Sequence, residues 1–373
     1  MPAELFLPGS LPCETAEQSF RIFGAPLGQW LAYMPDGEIG TRRYWIDGVA
    51  FRVFNGHPEL ETTKWPAPEN GVEQWWPRGR HDEFAFKVKR GVKQVRFGDA
   101  GWRLGFARDA VASYALFRYM KKDDVIPQRV RFQVCMPPTY SSVRYFFPDE
   151  DVEKVTPGFT RALRAETEKI VEMIPNNDLA IQFDLAVENR LVDVALDEQG
   201  ARAAAKVAAQ VCEPLAEICE VLPKAVHLGY HTCFGTLSGW PSRQPPSLRG
   251  SVILANAAIA ASGRKTEFVH IPTLGRVDDD WFSPLKELKA GGARVYMGAI
   301  HHLHGAGGLG EQLKVMKRYL RDFGLGSPCG FGRSADRSDR LITDDGSKAA
   351  NPIETILDDH RRAVIALWDM LGK

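Results

Sequence analysis

Side chains of the kinds that bind metals or move protons recur where short apolar runs give way to turns. His231 and Cys233 close AVHLGYHTC, Cys329 lies in PCGFGR, His270 ends TEFVHI and His301 follows RVYMGAI. Asp184 and Glu188 sit in QFDLAVEN, Asp36 and Glu38 in MPDGEIG, and Ser10 directly after LFLPG. Zinc takes thiolate and imidazole in tetrahedral sites, and a catalytic zinc keeps one position exchangeable. Alternate residues of an extended chain share a face, so His231-x-Cys233 presents two ligands to one side. Cys329 would add a third from a last strand. A fourth can come from Thr266–Ile271, where His270 and Glu267 point to opposite faces. His270 is preferred because it stands at the strand's end. An isolated H-x-C or Cys-Gly pair is commonplace; their order and shared strand-end placement point to Zn2+.

Around that centre, Asp184, Glu188 and His301 are candidates for acid–base catalysis. Ser10, Asp36 and Glu38 are candidates for holding substrate, although Asp in a Gly-containing turn and Asp or Glu ahead of a helix also serve structure. Trp75 and Trp76, in ENGVEQWWPRGRHDEF, are candidates for stacking on a flat substrate. His302 and His304 follow His301 in a Gly-rich loop. GAGGLG is no phosphate loop, since no Lys-Ser/Thr pair follows it. The other four cysteines, Cys13, Cys135, Cys212 and Cys219, read as small buried hydrophobes.

These residues need a scaffold that gathers strand ends. Strands are expected at Glu4–Pro8, Trp30–Met34, Arg131–Met136, Leu179–Asp184, Ala225–His231, Thr266–Ile271 and Ala293–Ala299, with a short one just before Cys329. Helical periodicity marks Glu14–Phe23, Asp151–Met173, Gln199–Val221, Leu248–Ala261, Leu309–Phe323 and Pro352–Leu371. Alternation of this kind implies parallel pairing with right-handed crossovers, and eight strands close a barrel. The expected fold is α/β, a single (β/α)8 TIM barrel spanning residues 1–373, with an open doubly wound sheet as the alternative. Residues 46–105 break the beat and read as an aromatic-rich insertion, a lid over the mouth.

The chain has 373 residues, 47 basic and 47 acidic, and 44% hydrophobic residues. This balance suits a globular protein with a large core and offers no basic stripe for nucleic acid. No apolar run approaches the ~20 residues that span a bilayer, and the N-terminus lacks a basic leader. The expectation is a cytoplasmic protein acting on a small molecule, with no nucleic-acid or membrane partner. A homo-oligomer is compatible with this reading.

Taken together, LPGSLP, IQFDLAVEN, YHTCFG and CGFGR resemble the catalytic barrel of cobalamin-independent methionine synthase, in the wider group that includes uroporphyrinogen decarboxylase. PDGEIGTRRYWI, FVHIPTLGRVDDDWFSPL and YMGAIHHLHG are similar to a subgroup of bacterial and fungal proteins within it. The resemblance implies catalytic zinc on His231, Cys233 and Cys329, with His270 where the family places an acidic ligand, unless Glu267 takes that place. It also implies that Asp184 holds the amino group of a thiol substrate. Two departures stand out. The family's Asp-Glu-Pro run reads Asp-Leu-Ala here, and these residues contain no duplicated N-terminal barrel.

The first functional expectation is zinc-dependent methyl transfer from a methylated, flat or aromatic donor to a zinc-activated thiol. The alternative is a zinc-dependent lyase or hydrolase cleaving a small hydroxylated aromatic compound. A structural zinc in a non-catalytic subunit fits less well, because such sites are usually built from local loops.

Overall fold

The computed structural model describes residues 4–77, 82–98, 103–236, 240–301, 305–332, 341–342, 348–349 and 353–372. In chain order its strands begin with β1 (Leu5–Phe6), β2 (Tyr33–Pro35), β3 (Leu60–Lys64) and β4 (Ala85–Val88). They continue with β5 (Arg131–Met136), β6 (Leu179–Leu185), β7 (His227–Thr232), β8 (Phe268–Pro272), β9 (Arg294–Gly298) and β10 (Gly324–Gly326). Eight of these form one sheet in the order β1-β10-β9-β8-β7-β6-β5-β2, all pairs parallel. A parallel bridge from Leu5 to Leu31, just ahead of β2, joins the two ends. The sheet therefore curls into the expected TIM barrel, with helices between successive strands.

The barrel interior changes character along its axis. Low in it, Phe6, Tyr33, Ala180, Phe268 and Tyr296 form an apolar cluster separate from the outer core. Phe6 lies 4.8 Å from Tyr296 and Tyr33 lies 4.4 Å from Phe268, centroid to centroid. Gly229 makes this packing possible: a Cβ there would come within 2.2 Å of the Phe268 ring. Above the aromatics, Gln133 Nε2 donates to Gln182 Oε1 at 3.0 Å, and Gln182 Nε2 donates to Asp184 Oδ1 at 2.6 Å. Polar side chains thus collect toward the C-terminal mouth, where active sites of this architecture lie.

Several boundaries moved for local reasons. β5 occupies the expected Arg131–Met136, but β2 starts at Tyr33 because Gly28–Trp30 form a 3-10 turn. The expected helix Gln199–Val221 is interrupted. A helix Val187–Gln199 ends at Gly200 (φ +82°), Ala201–Cys212 follows, and Pro214 starts a short third piece. The Leu309 helix ends at Met316 rather than Phe323.

The segment 46–105 begins as helix (Ile46–Val49, then Ala50–Phe54) and continues into the antiparallel β3–β4 hairpin. It docks on the helix Asp149–Met173: Val88 N donates to Asp151 Oδ2 at 2.9 Å, and Val95 N to Lys154 O at 2.9 Å. Phe54 packs against Phe86, Phe97, Phe147 and Phe159. Among the described residues no helix is long and apolar enough to cross a membrane.

Candidate metal centre at the barrel mouth

β7 delivers His231 to the mouth and Cys233 two residues later, while the turn after β10 delivers Cys329. Their ligand atoms all lie within 4.8 Å of one another. The two Sγ atoms are 3.3 Å apart, and Gly235 N donates to Cys233 Sγ at 3.3 Å. The facing Cys329 thiol and then burial push the Cys233 thiol well above its ordinary pKa. Two thiols and an imidazole converging here, His231 and Cys233 buried and Cys329 partly exposed, match the donor set of a zinc site that has one position left to fill.

The Cys329 turn is held from both sides. Ser327 Oγ donates to Cys329 O at 2.8 Å. On the other side, Ser10 O accepts from Phe331 N at 2.8 Å and Ser10 Oγ from Gly332 N at 3.2 Å. Both glycines are required for this approach: a Cβ at Gly330 would stand 2.2 Å from Ser10 Oγ, and one at Gly332 2.5 Å from Ser10 Cβ. Ser10, a substrate-binding candidate, thus clamps the turn that carries Cys329.

Glu38 and Asp184 sit beside the thiols. The side chain of Glu38 is hydrogen-bonded by Ser10. Its backbone is held at φ +50°, the left-handed region that a non-glycine residue occupies at a cost. Burial raises its pKa to about 8, against the pull of Arg42, with Asp36 and Cys329 adding to the rise. Asp184 is pushed well above the usual carboxylate range by burial and then by Glu38. Its β6 position pairs with His231 on β7, which places it one strand from that imidazole. Cys135 belongs to the same group. Burial, then Asp184 and Glu38, drive its thiol upward. It is partly exposed, which corrects its reading as a buried hydrophobe. Its place at the end of β5 was the signal that could have identified it.

The remaining candidates divide. Asp36 is an anchor: Arg42 contacts it at 3.0 and 2.7 Å and Ser113 Oγ donates at 2.6 Å. Burial opposes its ionisation, but Arg42 outweighs that and holds the carboxyl low. Glu188 is fully buried and accepts from Ser141 N at 2.7 Å and Ser141 Oγ at 2.5 Å; burial raises it to about 7. It ties the turn after β5 to the turn after β6. Glu267 lies at the opposite end of β8, accepting from Leu228 N at 2.8 Å. His301 is partly exposed in a turn closed by backbone bonds with Gly305 at 3.0 and 2.8 Å. His302 and His304 lie outside the described residues. Trp75 and Trp76 are half-buried against Tyr44, at 4.9 and 5.7 Å, and Trp75 also stacks on Phe51. Arg43, next to Tyr44 in the chain, borders Gly332. His270, expected as the fourth ligand, stands behind His231, outside the group of three.

No family model matches the chain, and no curated protein matches it. Among solved structures it is similar to a B12-independent methionine synthase from Shewanella sp. W3-18-1 in complex with selenomethionine. The TM-score is 0.54 and the identity 14%, over 98% of this chain and 99% of that one. It is also similar to a methyltransferase from Methanosarcina mazei, with TM-score 0.42 and 10% identity over 95% and 94% of the two chains. At this identity the likeness to the first establishes a shared fold.

Proposed function

We propose that this protein is a zinc enzyme that transfers a methyl group from a methylated donor to a thiol. The observation that carries the reading is the convergence of His231, Cys233 and Cys329 at the mouth of a barrel. These three would hold the metal. Bound there, zinc supplies a place where a substrate thiol is stabilised as thiolate at neutral pH.

The chain's own residues then account for orientation and protons. Glu38 and Asp184 repel each other in a buried space, so near neutral pH the pair keeps a proton. One member can pair with a cationic group on the thiol substrate. The protonated member can give its proton to the departing donor atom. Gln182 holds Asp184 by its Oδ1 and orients the carboxylate. Trp75 and Trp76, carried by segment 46–105, and Tyr44 are the surface on which a flat donor would stack. Glu188, sequestered by Ser141, takes no part in proton transfer in this scheme.

The same open metal position also suits activation of water, so lyase or hydrolase chemistry is the second reading. Dependence on an added thiol separates the two. The reading itself is tested by elemental analysis of the purified protein beside Cys329→Ser and His231→Ala. Near-stoichiometric zinc in the wild type and its loss in both variants is expected. A wild type purified without chelators that contains no zinc overturns the proposal.

A further inference from the structure

His231 and His270 occupy paired positions on β7 and β8, with their Nδ1 atoms 2.6 Å apart. The His270 ring is wholly buried and stacks on Phe6 at 5.1 Å, the planes 26° apart. β9 and β10 make room for it with glycines: a Cβ at Gly298 would stand 3.0 Å from His270 Nε2, and one at Gly326 3.5 Å. Thr232 Oγ1 donates to the His270 carbonyl at 3.3 Å. The ring is therefore wedged between the barrel's strands beside His231, and it does not join the three ligand atoms that cluster at the mouth.

We propose that His270 is a positioning residue, not a metal ligand: it accepts the Nδ1–H of His231 and so leaves His231 Nε2 free for the metal. The inference rests on the metal reading above. Two neutral imidazoles joined through their Nδ1 atoms share one proton in that contact. If His270 donates it, His231 carries its own proton on Nε2 and has no lone pair there for a cation. If His231 donates it, Nε2 is free, and the ring is held in the orientation that ligation needs. His270 then carries its own proton on Nε2, toward Gly298 and Gly326, where it meets no hydrogen-bond partner among the described residues; the Ser327 backbone is a polar neighbour of the ring. Ser327 in turn holds Cys329, so one buried ring adjoins both arms of the site. The protein thus supplies three ligands, two thiolates and one neutral imidazole, and leaves the fourth tetrahedral position to substrate.

Zinc K-edge X-ray absorption on the zinc-loaded protein, with competitive chelator titration of His270→Asn and His270→Phe, tests this. The expected wild-type spectrum has two sulfurs and one imidazole. Asn keeps an acceptor near the Nδ1 position and is expected to stay within a few-fold of wild-type affinity. Phe keeps the packing but no acceptor, and a loss of about 10–100-fold with an unchanged ligand shell is expected. Two imidazoles in the wild-type spectrum, or undiminished affinity in His270→Phe, would overturn the inference while leaving the zinc reading intact. Absence of zinc from the wild type defeats both together. The wild-type spectrum decides the ligand count even if a variant does not fold.

Discussion

Cys233 and Cys329 are separated by 96 positions in the chain, yet their Sγ atoms stand 3.3 Å apart at the barrel mouth. Zinc bound between them would shield both sulfurs from electrophiles. Mass-spectrometric mapping after brief iodoacetamide treatment should show Cys233 and Cys329 protected in the metal-loaded protein and alkylated after chelation. Equal labelling in both states would count against shared coordination.

Gly298 lies where β9, Pro328 and His270 meet. A Cβ there would come within 2.6 Å of Pro328 Cα and 3.0 Å of both His270 Nε2 and Pro272 Cα. Gly298→Ala is expected to destabilise the fold by about 1–3 kcal/mol. Because the displaced backbone leads to Cys329, it should also weaken zinc binding. Thermal melting and zinc content, measured on the same preparation, check both.

Asp36 is buried and bidentate to Arg42, with Ser113 as a third partner. Removing its charge leaves the guanidinium with its longer contact to Asp109, at 3.6 Å, and Asp36→Asn should cost about 3 kcal/mol. It should not remove the metal, since Asp36 is not among the three converging ligands. A variant as stable as wild type in urea would refute its role as anchor.

Glu188 gives a pH signature. Its folded pKa, about 7, lies above the ordinary 4.5 because burial disfavours the charged form. The folded state therefore holds an extra proton between these values. The associated stability is fully present below the ordinary pKa and is lost as pH rises through about 7, amounting to at most about 3 kcal/mol. Glu188→Gln should flatten this part of the profile. Urea midpoints at about pH 5 and about pH 8 would show it, and the idea fails if both proteins lose stability in parallel.

The carboxylates at the mouth bear on substrate choice. Burial raises both Glu38 and Asp184, the neighbouring Glu38 adds to the rise of Asp184, and a cationic group beside them would relieve that repulsion. Thiols that carry an ammonium group should outperform neutral thiols of the same size as acceptors. That preference should shrink in Asp184→Asn with zinc content unchanged. Turnover with paired acceptors is the measurement, and equal rates would remove the cation from the scheme.

What the sequence determined by itself was periodic or local. The apolar runs, their alternation with helical segments, and the placement of His231, Cys233, Asp184 and Cys329 at strand ends were enough to expect a parallel α/β fold, a barrel ahead of an open sheet, with these polar residues at one end. Period-two alternation put His231 and Cys233 on one face without any tertiary information. What only the tertiary structure decided depends on distance across the barrel. His270 was preferred to Glu267 as the further ligand because it stands at its strand's end; packing against Phe6 and the cross-strand glycines set it beside His231 but outside the group of three, and Glu267 lies at the opposite end of the strand. Asp36 and Glu38, two residues apart, met different surroundings: Arg42 is bidentate to Asp36, whereas Glu38 is bonded by Ser10 and lies near Cys329. Cys135 looked like core until the carboxylates of two other elements closed around it. Such roles follow from which side chains meet after closure, and chain spacing does not encode that.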